Sequence, residues 1–147
     1  MTPQEIAERC RAVMWANDHA SKFLGQTVDS VGPGTAVTSL VVQQHHCNGH
    51  GVCHGGYIFT LADTAFAYAC NSRNEATLAQ FNTISFLRPG QLGATLRAEA
   101  REQSRAGRSG IYDVTVTATL DGETKVIAEF RGASRAIGGP NFKEDEQ

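Results

Sequence analysis

The sequence predicts an α+β fold in which one long buried helix is wrapped by a curved antiparallel sheet of about six strands. Three observations lead there. From Tyr57 to Cys70 the chain is apolar on nearly every face of a helix, and a helix without a polar stripe lies inside the molecule. Strand-like runs stand on both sides of it, and the later ones alternate apolar and polar residues between tight turns. The buried helix needs a cover, and a strongly curved antiparallel sheet is the largest apolar surface the chain offers.

The elements follow in order. Thr2 to about Asn17 reads as an amphipathic helix: Thr2 caps, Pro3 suits the first turn and Glu5 completes a capping box, with Ile6, Cys10, Val13 and Met14 at helical spacing. Phe23–Val31 and Thr35–Gln43 read as strands reversed at Gly32-Pro33-Gly34. His45 to Cys53 is a polar, glycine-containing loop leading straight into the buried helix. Then come Leu78–Leu87 before a Pro89-Gly90 turn, Ala94–Arg101, Ile111–Leu120 and, across the Asp121-Gly122 hairpin signal, Thr124–Ala136, read as an antiparallel meander. One helix inside one curved sheet is the hotdog arrangement. Residues 1–147 form a single domain, with the N-terminal helix in 1–20 and a frayed tail from 140 to 147.

Charge and composition narrow the function. A net charge of −2 with scattered Lys and Arg gives no basic stripe, so nucleic acid is not an expected partner. No run of about twenty apolar residues and no signal-like start occur, which points to a cytoplasmic protein with no membrane role. The four cysteines are read as free or metal-binding thiols, Cys10 and Cys70 as small core residues.

Chemistry concentrates between Asn48 and Asn71. Asp63 is the only charged residue between His54 and Arg73, and on a helix its neighbours are Phe59, Thr60, Phe66 and Ala67. An ionised carboxylate buried without a partner costs several kcal/mol, so Asp63 is either paired by the sheet or held for chemistry. Gly55 and Gly56 open the same helix with no Ser, Thr, Asp or Asn in the capping position. Their amides suit a carbonyl oxygen that gains negative charge. Gly55 and Asp63 are eight residues apart, roughly 12 Å along a helix, whereas a base acts within about 3 Å. If both serve one carbonyl, the carboxylate comes from a second copy, and the protein is at least a dimer with two shared sites.

Those residues, with Ile84-Ser-Phe-Leu-Arg-Pro-Gly90 and Ala128-Glu-Phe-Arg-Gly-Ala-Ser134, resemble the phenylacetic acid degradation family of hotdog thioesterases over most of the chain. The His54-Gly55-Gly56 motif followed by Ala62-Asp63 carries the likeness. The resemblance implies hydrolysis of aryl-acetyl-CoA thioesters, phenylacetyl-CoA or its ring-hydroxylated forms, by a homotetramer of two dimers. It implies that Gly55 supplies the oxyanion amide, that Asp63 of the facing subunit activates water or attacks directly, and that Asn48 and His54 orient thioester or water. Gly56, Phe59, Thr64 and Arg88 are the expected substrate contacts, with Arg131 and Arg135 as further cations for the CoA phosphates. No metal and no cofactor are expected, CoA being part of the substrate.

Rival readings remain at this stage. His45, His46, Cys47, His50, Cys53 and His54 contain zinc-type ligands, but one tight loop would have to supply them all. Cys53 activated by His54 is weak as a nucleophile, because adjacent residues of extended chain point to opposite sides. A hotdog hydratase or dehydratase using His54, and a non-catalytic acyl-CoA binding module, are the alternatives to a hydrolase.

Overall fold

The computed structural model describes residues 1–144. Thr2 caps α1 (Pro3–Ala16) through the expected box, accepting from the Glu5 N–H at 3.1 Å. The helix buries Ala7 and Cys10 and lies along the first strand, β1 (Thr27–Gly32). Gln4 Nε2 donates to the Val31 carbonyl at 2.8 Å and Arg11 donates to the Val28 carbonyl, so side chains of α1 occupy carbonyls of that strand.

A separate α2 (His19–Leu24) takes residues that the sequence assigns to the N-terminal helix and to the first strand. Its signals are local ones. Asp18 caps it, accepting from the Ser21 N–H at 3.1 Å, and Gly25 ends it in the left-handed region at φ 77°. Phe23 therefore sits on a helical turn and not in a strand, and it is exposed.

After β1 come β2 (Thr35–Val41), a 3₁₀ turn (Gln44–His46) and the long α3 (Gly55–Cys70); β3 (Thr77–Phe86), β4 (Thr95–Ala106), β5 (Ser109–Leu120) and β6 (Glu123–Ala136) follow. The sheet is antiparallel in the order β1-β2-β4-β5-β6-β3. Its inner face presents Ala36, Thr38, Leu40, Leu96, Ala98, Tyr112, Val114, Val116 and Phe130 to Leu61, Ala62, Ala65 and Phe66 of α3. Burying each Leu or Phe contributes about 1.5–3 kcal/mol, so helix and sheet stabilise one another. The Thr38 hydroxyl donates to the Leu61 carbonyl at 3.1 Å, and Gly132 lets the Phe66 ring approach the sheet, since a Cβ there would lie 2.8 Å from the ring.

The hotdog arrangement is therefore present, with one change of topology. Only β4, β5 and β6 form the meander; β3 joins it at the far edge, against β6. The Pro89-Gly90 segment is not a hairpin turn but part of a crossing connection. It docks on the loop before α3, where Cys53 donates its N–H to the Gly90 carbonyl at 2.8 Å and Val52 bridges to Gln91. Strand β4 runs on to Ala106 because a bulge at Glu102/Ser104 shifts the alternation that would otherwise appear to end near Arg101.

The start of the expected frayed tail is anchored. Phe142 is buried, exchanges hydrogen bonds with the Asn74 side chain at 2.9 Å and lies under the Arg9 guanidinium. Residues 145–147 lie outside the described part.

Candidate active site

The site begins with the hairpin before α3. Asn48 and Val52 face each other across it, the Asn48 N–H donating to the Val52 carbonyl at 2.8 Å, and the Asn48 side-chain oxygen accepts from the His50 N–H at 3.0 Å. Asn48 thus spends its oxygen on the loop, while its Nδ2 has no acceptor among the described residues. His46 is fully used: Nδ1 accepts from the Gln43 N–H and Nε2 meets the Leu24 carbonyl, both at 2.9 Å. Among the described residues no three of His, Cys, Asp and Glu converge as metal ligands.

His54 has a structural role that the sequence did not reveal. It stands at the N-cap of α3, and its Nδ1 accepts from the Gly56 N–H at 2.9 Å. The helix start is therefore capped after all, by an imidazole. That contact assigns the ring proton to Nε2, which is left free to donate. It also removes the Gly56 amide from the expected substrate contacts. The Tyr57 and Ile58 amides bond to the His54 carbonyl. Among the described residues the Gly55 N–H alone of this first turn has no acceptor. A cleft of about 330 Å³ opens there, lined by Cys53, Gly55, Ile58, Phe86, Leu87, Arg88 and Pro89. The Phe86 ring comes so near Gly55 that a Cβ added there would sit 3.1 Å from it. Any larger residue there would crowd that ring, and glycine leaves this backbone open to close approach.

Asp63 lies two turns further along α3, half-buried. Its Oδ1 accepts from Asn82 Nδ2 on β3 at 3.1 Å, and no cation pairs with it among the described residues. Burial pushes its carboxyl above the usual aspartate value, and the Asn82 hydrogen bond opposes that rise in part. The side-chain oxygen of Asn82 is buried and without a partner among the described residues. Asn82 and Phe86 were both missed in the sequence. The available signal was Asn82 standing in phase with Ile84 on a strand, a polar residue where an apolar one is expected.

The remaining expected contacts divide. Phe59 is half-buried with its ring edge-on to Phe130 at 5.5 Å. Thr64 is turned away from the Asp63 side: it is buried, and its hydroxyl meets Gln26 at 2.7 Å and the Thr60 carbonyl at 2.8 Å, so it is not placed as a substrate contact. Arg88 donates to the Val126 carbonyl at 2.7 Å and, with Pro89, stands between the Gly55 cleft and a second one of about 440 Å³ that reaches Lys125 and Ile127. Arg131 is held by Asp113 in a two-bond pair at 2.6 and 2.8 Å, and Arg135 is exposed. Cys53 is buried and its thiol is pushed up to about 11 by that burial and by nearby Cys47, which argues against a thiolate nucleophile.

Gly55 and Asp63 remain on one rigid helix, roughly 12 Å apart by the rise per residue. A single chain does not bring both to one carbonyl.

Known proteins resemble this chain over most of its length. The acyl-coenzyme A thioesterase PaaI of Escherichia coli is 45% identical over 126 residues, covering 86% of this chain and 88% of the relative. The structure of the E. coli PaaI protein from the phenylacetic acid degradation operon superposes with a TM-score of 0.90 at 42% identity, over 95% of this chain and 99% of that one. A Streptococcus mutans protein, smu.793, solved with acetyl CoA bound, superposes with a TM-score of 0.72 at 27% identity, over 78% of this chain and 90% of the other. The pattern of the Thioesterase superfamily matches residues 50–125, which contain Gly55, Asp63 and Asn82. With that match and a relative at this level of identity, the chain belongs to the thioesterase superfamily.

Proposed function

We propose that this protein is a cytoplasmic acyl-CoA thioesterase that hydrolyses aryl-acetyl-CoA thioesters, phenylacetyl-CoA or its ring-hydroxylated forms, to the free acid and CoA. One observation carries the reading: among the described residues, α3 offers an amide without an acceptor at its N-terminus and a half-buried carboxylate without a cation on its body. The Gly55 N–H and the helix dipole stabilise the oxyanion that forms when the thioester carbonyl is attacked. Asp63 supplies the negative charge, taking the proton of the attacking water or attacking the carbonyl itself. The carbon–sulfur bond then breaks and CoA leaves as thiolate. Asn82 holds one carboxylate oxygen and leaves the other for chemistry, while the His54 Nε2–H and the Asn48 amide are donors for thioester or water.

The pairing of Gly55 with Asp63 requires two copies. What supports it is the free edge of the sheet: β1 is lined by α1, whereas β3 has β6 on one side only. Leu78, Phe81 and Phe86 on β3, and Leu87 just after it, are exposed, Phe81 to 66%. A long apolar strand edge of this kind is a pairing surface. Two chains meeting there bring their α3 helices side by side, and the family resemblance extends the dimer to a tetramer. The aryl-acetyl preference rests on likeness to the E. coli protein from the phenylacetic acid degradation operon.

The test is release of CoA thiol from a panel of aryl-acetyl, straight-chain and branched acyl-CoAs, beside an Asp63→Asn control. Rapid release from the aryl-acetyl members and a fall of at least about a hundredfold in the control are expected. CoA binding without thiol release would leave a binding module. Single turnover in heavy-oxygen water separates the two roles of Asp63, since label in its carboxylate marks direct attack.

A further inference from the structure

We propose that Cys47 and Cys53 form a dithiol that closes into a reversible disulfide across the hairpin before α3, with a low-molecular-weight disulfide as oxidant. The two residues are bridge partners. The bonds that frame them are those of the Asn48 N–H to the Val52 carbonyl and of the His54 N–H to the His46 carbonyl, both 2.8 Å. Those bonds belong to the residues on either side, so Cys47 and Cys53 are a non-hydrogen-bonded antiparallel pair. At such a pair the Cα atoms stand about 4.5 Å apart with the side chains close together, inside the window of roughly 4.4–6.8 Å that a disulfide spans.

The pair is held in register before any bond forms. Asn48 binds the loop through its side chain, Gly51 takes the left-handed turn at φ 77°, and Gly90 and Gln91 hold the outer strand. Both thiols are free and make only long contacts, Cys47 to the Gln43 carbonyl at 3.5 Å and Cys53 to the His54 carbonyl at 3.7 Å. Cys10 in α1 and Cys70 at the end of α3 are free as well, and neither stands in such a register.

Exposure sets the order of events. Cys47 is half-buried and Cys53 is 4% exposed, so Cys47 is the thiol that a reagent in solution reaches. The Cys47 thiolate attacks one sulfur of the small disulfide and expels the first thiolate. Cys53, whose raised thiol makes this the slower step, then gives up its proton and attacks the adjacent Cys47 sulfur, expelling the second. One protein dithiol and one disulfide become one protein disulfide and two small thiols, so two electrons pass to the reagent. Cys53 also lines the cleft at Gly55, so the bond would form in one wall of that cleft. The dithiol chemistry stands whether or not the cleft binds a thioester.

The full-length protein is incubated with glutathione disulfide, unfolded in the presence of N-ethylmaleimide, and read by intact mass and peptide mapping. Two of the four thiols are expected to escape alkylation, with a link between Cys47 and Cys53 that dithiothreitol reverses. Cys47→Ser is expected to form no internal link, with Cys47→Ala as the second variant should the serine disturb the loop. Four alkylated thiols in the treated wild type would overturn the proposal. So would a glutathione adduct that persists on Cys47, or a link that survives replacement of Cys47.

Discussion

The sharing of each site between two chains is open to a complementation experiment. One chain carries Asp63→Asn, which keeps shape and removes charge. The other carries Gly55→Val. A Cβ at Gly55 lies 3.1 Å from the Phe86 ring, so a branched side chain there both displaces that ring and covers the amide of the first turn that has no acceptor among the described residues. Each homodimer has two defective sites and is expected to turn over at about a hundredth of the unaltered rate or less. In a heterodimer one site collects both lesions and the other collects neither. Tag-separated heterodimer is then expected to recover about half of the unaltered turnover, and a random mixture about a quarter, because about half of its dimers are mixed. Were each site built within one subunit, no intact site would form and turnover would stay near a hundredth. The gap is roughly fiftyfold, well beyond assay error. Melting curves of both parents establish that they are folded, and a folded, correctly assembled heterodimer as inactive as its parents would refute the pairing.

Asp63→Asn also bears on stability, and here the sign is opposite to its effect on activity. Burial raises the folded carboxyl above 3.8, so the folded state holds this proton more tightly and loses stability as pH rises through the window from about 3.8 to the raised value. The asparagine is spared that loss: its melting temperature is expected above wild type at pH 7 and level with it below pH 3.8, and a lower value at pH 7 would contradict the burial argument. Asn82→Ala removes the hydrogen bond that favours the ionised carboxylate. The acid limb of kcat/KM against pH is expected to move to higher pH, which a purely structural role for Asn82 would not produce. Gly132→Ala puts a Cβ 2.8 Å from the Phe66 ring. Overpacking there is expected to cost about 1–3 kcal/mol and lower the melting temperature by several degrees; pairing it with Phe66→Leu is expected to return part of that loss, and an unchanged melting temperature in the single variant would count against the contact.

What the sequence determined by itself is local. The capping box of α1, the Asp121-Gly122 hairpin and the all-round apolar face of α3 are decided by neighbouring residues, and each stands where the pattern puts it. The singular charge of Asp63 on that apolar helix was equally legible, because helical spacing alone sets its neighbours. Where local rules competed, reading failed: the apolar Phe23 and Leu24 looked like a strand start, but the Asp18 cap and Gly25 stop make them a helical turn. Only the tertiary structure placed β3 beside β6, since strand order depends on contacts between residues far apart in the chain. From that placement follow the Asn82 hydrogen bond to Asp63, the Phe86 ring over Gly55 and the free edge offered to a second copy. The imidazole cap on Gly56 and the facing of Cys47 with Cys53 were hidden for a related reason. Both depend on how one loop closes on itself and docks on the Gly90 segment, and no periodicity in the sequence records that closure.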